Sequence, residues 1–443
     1  SRHLDNHSLW EGKTFAVRCF KIIMYSIQSQ HSHLVIQQLL GHLDANSKNS
    51  ARVRAGIVEV ISEAAVIEAS GSIGPTVLEV FNTLLKQLRL SVDYELTGSY
   101  DSFANMGTKV IKVHEERQLQ ESVIKTIGSF ANTLPTYQRS EVMLFIIGKI
   151  PVPGMYPALG SANTGVEGSK MIQIMLLKSL LQVTAGFQSN NILTALPTSF
   201  LDPLLSFTLM EDAEIRLLVL DILISIIDRH DNRHKFSPVR IISDFSILKL
   251  KVDKCSRQDN LFMKKHSHRL YRHIYLACKE DSSVQRHFES LHTLLGLICV
   301  ELANEEVVVD LIRLALALQD LALTDDTLPV YSRCAIHALS AAYLLISQLT
   351  TVPTFCQHVH EGEMLFAQAK IAEMLGGSGY NTERLATAYI PQITDEDRLS
   401  KRKSIGDTVS LQLEMESRNS PEKEQRFQTA PFEEIAAHCG ARV

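Results

Sequence analysis

The chain has 443 residues, of which 45% are hydrophobic and 21% charged, with a formal net charge of −5. That length exceeds one compact core and points to about three domains or one elongated repeat array. The balance excludes a disordered chain, and the negative charge argues against a general nucleic-acid binder, which needs a strongly basic surface to displace phosphate counterions.

In chain order, the first residues, SRHLDNHSLWEGK, hold neither a starting Met nor an apolar signal core, so the natural N-terminus is expected upstream. Cys19, beside Phe20 and Ile22, reads as a buried thiol. His31 and His33 stand two apart, diverge on a helix, and read as ordinary core or surface histidines. The cysteines (19, 255, 278, 299, 334, 356, 439) are scattered with no C-x-x-C, which fits reduced thiols rather than a disulfide frame or zinc site. No apolar run reaches the ~18 residues of a membrane span.

Long Leu-, Ile- and Ala-rich stretches, poor in Gly and Pro, read as helices. Similar blocks recur with polar anchors at Arg54, Gln120, Gln173 and Arg216. The last interval falls in the ~40–47-residue period of helical repeats, and the longer ones hold glycine-containing inserts at 94–106 and 154–168. The fold expected is all-α: an α-solenoid of degenerate armadillo/HEAT-like repeats over 1–375, in which each helix pair buries its face against its neighbours.

The stretch LMEDAEIRLLVLDILISIIDRHDNRHKF (209–236) is the richest in side-chain chemistry. Its apolar girth predicts a sandwiched helix ending near Asp228. Arg216 lies four residues after Asp212, the favourable order for an ion pair, or else bridges to the next repeat. Asp228, Asp231, His230 and His234 suggest a metal or acid–base site. Arg229, Arg233 and Lys235 crowd the same segment and oppose a divalent cation, so a solvated helix end is the expected reading.

Next, FMKKHSHRLYRHIYLACK (262–279) reads as a basic amphipathic helix. Lys265, His268, Arg269, Arg272 and Lys279 project from one side, and Leu270, Ile274 and Ala277 face inward. Such a stripe suits acidic lipid headgroups or an acidic partner. Helices continue through 304–323 and 330–349. Gly376-Gly-Ser-Gly-Tyr380 then breaks the pattern; it trails a helix and lacks a following Lys-Ser/Thr, so it is no phosphate loop. A polar, flexible tail is expected over 376–430. Within it, Lys401-Arg402-Lys403 before Ser404 resembles a basophilic phosphorylation site. The last piece, 431–443, opens PFEEIAAHCG, with Pro at the first helical position and Gly at the stop. Phe432, Ile435, Ala436 and Cys439 form one apolar stripe, too short to hold alone, which suits docking onto a partner or back onto the repeats. No G-x-S-x-G elbow, H-E-x-x-H, kinase set or dinucleotide fingerprint occurs, so no catalytic residue, metal or cofactor is assigned.

The stretches MYSIQSQHSHLVIQQLLGHLD, GPTVLEVFNTLLKQLRLS, LPTYQRSEVMLFI, LMEDAEIRLLVLDILISIIDRHDNR, ELANEEVVVDLIRLALALQDLAL, TDEDRLSKRKSIGDT and APFEEIAAHC, in this order, resemble the Rolling blackout family, also called eighty-five-requiring-three, in the wording of a vertebrate member. The resemblance implies a non-enzymatic scaffold. It implies a plasma-membrane anchor, on the cytosolic face, for the type III phosphatidylinositol 4-kinase alpha complex, supporting phosphatidylinositol 4-phosphate synthesis. It further implies palmitoylated N-terminal cysteines, contact with inner-leaflet anionic lipids, and a C-terminal region that meets the kinase's tetratricopeptide-repeat subunit. This chain departs from the pattern in lacking the cysteine cluster and in running short near 361–363 and 426–427, so weakened anchoring and docking are expected. A generic helical-repeat adaptor for other cargo is the alternative, and a lipid hydrolase the more distant one.

Overall fold

The computed structural model describes residues 14–26, 31–67, 77–100, 110–151, 165–188, 191–239, 248–251, 255–302 and 304–347. Those residues form fifteen helices and no strand. They divide into two units, Ser1–Gln188 and Ser189–Val443.

The first unit contains α1 (Thr14–Ser26), α2 (Ser32–Ala45), α3 (Ala51–Ile67), α4 (Val77–Thr97), α5 (Val113–Asn132), α6 (Thr136–Lys149) and α7 (Gly165–Thr184). Alternate helices stack: α1 on α3, α3 on α5, and α5 on α7. The intervening helices form a second layer, with α2 against α3 and α4, α4 against α5 and α7, and α6 against α7. Three of the four anchors read from the sequence (Arg54, Gln120 and Gln173) fall on the successive stacked helices α3, α5 and α7. The expected inserts between them lie largely outside the described residues. Local stops are legible: Gly98 (φ 69°) and Gly186 (φ 68°) take the left-handed conformation just past α4 and α7.

One expectation fails here. Cys19 is half-buried rather than buried. Its helix α1 packs on α3, while Phe15, Ile22 and Tyr25 stay exposed at 62%, 67% and 76%.

The second unit contains α8 (Ile192–Ala195), α9 (Thr198–Phe207), α10 (Ala213–Ile227), α11 (Arg233–Phe236), α12 (Arg257–Cys278), α13 (Gln285–Glu301), α14 (Glu305–Thr324) and α15 (Val330–Ser347). Here α10, α13 and α15 form one row, and α9, α12 and α14 the other. The row helices run parallel. His287 at the start of α13 donates through Nε2 to the Ala213 carbonyl at the start of α10 (2.6 Å), and Arg229 just past α10 reaches Glu301 at the end of α13. Helix starts follow capping chemistry. Asp212 accepts from Ile215 N–H (3.0 Å), Asn304 from Val307 N–H (2.8 Å), and Ser256 with Asp259 closes a reciprocal box. That box starts α12 at Arg257, more than a turn ahead of the stretch read from the sequence.

The single turn α11 lays Phe236 directly on Gly296 of α13. A Cβ there would lie 2.9 Å from the Phe236 ring. His292, buried and kept neutral with its pKa pushed down to about 4, donates from Nδ1 to the Phe236 carbonyl (2.7 Å) and fixes the turn in place. Gly296→Ala is therefore expected to cost about 1–3 kcal/mol through overpacking. Urea titration followed by circular dichroism checks this, and the added change Phe236→Leu should recover part of the loss.

Candidate interaction surface and the junctions that hold it

All four sequence anchors are buried, and each satisfies polar atoms that a helix junction would otherwise leave bare. Arg54, fully enclosed, donates to the Asn49 carbonyl (3.0 Å) and pairs with Glu116 of α5, whose side chain is equally enclosed. Burial pushes the Glu116 carboxyl up; Arg54, and the Ser91 hydroxyl at 2.6 Å, hold it partly down. Gln120 donates to Ser91 and Glu95 (both 3.1 Å), and Gln173 to the Pro151 carbonyl (2.7 Å). The Arg216 guanidinium forms no ion pair with the Asp212 carboxylate, which caps α10 at Ile215 N–H. It donates instead to the carbonyls of Met210 and Glu211 (2.7 and 2.9 Å) and to the hydroxyls of Ser282 and Ser283 (2.9 and 3.2 Å). Of the two roles read for Arg216, bridging to the next repeat is the one observed.

The Asp228–His234 cluster is more than a solvated helix end. Among the described residues, no three His, Cys, Asp or Glu side chains are placed to hold an ion. Asp228 caps the following turn, accepting from Asn232 and Arg233 N–H (2.8 and 3.0 Å). Asp231 and His234 are exposed, 3.9 Å apart. Arg229 and His230, however, turn inward. Arg229 forks onto Asp259 of α12 (3.0 and 3.2 Å) and donates to the Glu301 carbonyl (2.8 Å), and His230 Nδ1 lies 2.9 Å from both Glu301 oxygens. Asp259 and Glu301 are almost wholly buried. Burial raises the Glu301 carboxyl, and His230, then Arg229, oppose the rise. The turn therefore fastens three helix ends together.

The basic stripe is only partly open. Lys265 is exposed, and His268 and Arg272 are half-buried. Arg269 is drawn to Asp202 (2.6 Å) and to His266 (2.9 Å). His266 itself stays neutral, with its pKa lowered to about 4 by burial and by Arg269 and Lys265. Lys279, just beyond α12, reaches Asp325 (3.8 Å). Leu270, Ile274 and Ala277 are buried as expected.

The open cations gather in the first turns of α12 and on the segment before it. Arg257, Lys264 and Lys265 are exposed on α12 around Leu261, itself 44% exposed. Lys249 and Lys251 are exposed on a segment gripped by Asn232, whose side chain donates to the Lys251 carbonyl (2.8 Å) and accepts its N–H (3.1 Å). Lys235 donates to the Lys249 carbonyl (2.6 Å), which steadies Lys249 in a left-handed conformation (φ 46°) costing about 1–2 kcal/mol. The Ser256–Asp259 capping signature, which marks the start of α12, is the sequence signal that extends the helix back to Arg257 and Leu261. Ser404, Phe432, Ile435, Ala436 and Cys439 lie outside the described residues.

A family profile described as "EFR3, armadillo repeat" matches residues 1–405. Over the whole chain, "Protein EFR3 homolog B" of Homo sapiens is 63% identical, that of Danio rerio 69%, and "Protein EFR3 homolog A" of Homo sapiens 51%. The chain spans 62% of the length of each of these relatives. No solved structure matches.

Proposed function

The chain belongs to the EFR3 armadillo-repeat family and is a helical-repeat scaffold protein, and from that premise we propose that it recruits and holds the type III phosphatidylinositol 4-kinase alpha complex at the cytosolic face of the plasma membrane. In this reading the protein breaks no bonds. It supports phosphatidylinositol 4-phosphate synthesis by fixing the kinase beside its lipid. The observation that carries the reading is likeness over the entire chain to EFR3 homologs, with the quoted stretches in order.

The residues fit the two contacts such a scaffold makes. The exposed cations Lys249, Lys251, Arg257, Lys264 and Lys265 suit anionic headgroups of the inner leaflet, each worth about 1 kcal/mol at the surface. The tail stripe Phe432, Ile435, Ala436 and Cys439 suits a groove of the tetratricopeptide-repeat subunit. Phe432→Ala with Ile435→Ala is expected to weaken capture of that subunit by about tenfold or more, as loss of buried anchors does. Pull-down with purified subunit checks it, and unchanged capture removes this stripe from the interface. A companion experiment asks whether the kinase complex follows the chain to the membrane when an acylated segment is fused to its N-terminus. Failure of the complex to follow would count against the recruiting role.

A further inference from the structure

The helices of the second unit end at two opposite edges. At one edge α10 and α13 finish while α12 and α14 begin: Arg229 meets Asp259 and Glu301, and Asn304 donates to Asn260 (2.8 Å). At the other edge α10, α13 and α15 begin while α12 and α14 finish. There Ser282 donates to the Glu211 carbonyl (3.1 Å), Lys279 reaches Asp325, and the Phe288 and Tyr331 rings lie 6.4 Å apart. The 22 residues of α12 hold the two edges about 30 Å apart.

Among the described residues, the exposed charges of the two edges have opposite sign. The first edge shows Lys249, Lys251, Arg257, Lys264 and Lys265 against Asp231 and Glu306. The second shows Glu211, Glu214, Asp281 and Asp326 against Arg286, and its Arg333 is half-buried beside Asp326 (3.3 Å). Each edge also bares an apolar spot. Leu261 is 44% exposed on the first, and Val284 and Val330 are 54% and 39% exposed on the second. One unit thus carries two faces that complement each other in charge and share an apolar centre. That is the pattern of a heterologous contact, in which one face of a molecule meets a different face of the next.

We propose that, away from a membrane, the chain associates head to tail with a second copy, the basic edge of one protomer's second unit meeting the acidic edge of the next. Leu261 then lies against Val284 and Val330, and Arg257, Lys264 and Lys265 face Glu211, Glu214 and Asp281. Each copy keeps one free edge of each sign, so the association does not close at a dimer. The contact uses only this chain. On the function proposed above, its consequence is competition: the same cations cannot face lipid and a neighbour together, so an anionic bilayer takes the chain out of the assembly.

The test is analytical ultracentrifugation of the full chain, with neither kinase subunits nor lipid present. The average mass is expected to rise with concentration past that of a dimer. The association should weaken about tenfold between about 0.05 M and about 0.5 M salt, because contacts between exposed charges are screened. Lys264→Glu with Lys265→Glu should leave the chain monomeric, and so should Glu211→Lys with Asp281→Lys. All four positions are exposed, so circular dichroism should show both variants folded. An equal mixture of the two variants should associate again, since each native edge then meets a native edge and each reversed edge a reversed one. A wild-type chain that stays monomeric at every concentration overturns the proposal. Association that survives either reversal places the contact elsewhere and overturns it too. Variants that are monomeric alone and remain so when mixed show that the two edges do not meet, which also overturns it. Because no kinase subunit or membrane is present, this experiment can fail while the recruitment experiment above succeeds, and the reverse.

Discussion

Replacing Arg229 by alanine is expected to destabilise the second unit by about 3–5 kcal/mol, the cost of leaving buried carboxylates without their cation. Asp259 and Glu301 are 1% and 3% exposed, and Arg229 lies 3.0 Å from the first and 3.4 Å from the second. Once the guanidinium is gone, the Asp259 carboxylate is left in a dry site without its forked partner, and Glu301 is left with His230. Arg229→Lys should fall between, since an ammonium keeps the charge but cannot fork. His234→Ala, a few residues away but exposed, should change stability by no more than about 0.5 kcal/mol. Hydrogen exchange resolves the effect by region, which matters because two units need not unfold in one step. If Arg229→Ala and His234→Ala proved alike, the turn would be the solvated helix end that the sequence alone suggests.

The Arg54–Glu116 pair gives the second large effect. Both side chains are fully enclosed, so removing either one strands the other, at about 3–5 kcal/mol. Replacing both together, as Arg54→Met with Glu116→Leu, should recover most of that loss, since an apolar pair of similar volume avoids both desolvation costs. A double-mutant cycle by urea titration reads the coupling. A double variant as unstable as the sum of the singles would mean the pair's surroundings, Ser91 and Gln120 included, cannot accept apolar neighbours.

Much of the architecture was legible because it is written locally. Apolar periodicity marked the helices. The helix expected over 304–323 is Glu305–Thr324, and that expected over 330–349 is Val330–Ser347. The four anchors were legible as a recurring position, while their burial is a finding of the structure. What could not be read was partnership across distance. Arg229 finds its carboxylates 30 and 72 residues away, and beside Asp228 it looked like one more surface charge. The basic stripe was misjudged for the same reason. Arg269 and Lys279 are drawn to Asp202 and Asp325 on other elements, and the cap at Ser256 adds a further turn that carries Arg257.

Asn232 grips Lys251 by both its N–H and its C=O, the two contacts a neighbouring strand would supply. The lysine side chains beside it therefore hang from a backbone that is already ordered. Whatever anion meets them spends little on arranging the loop, so more of each charge contact survives as net attraction. One amide, invisible in any tally of charges, sets how hard those charges can pull.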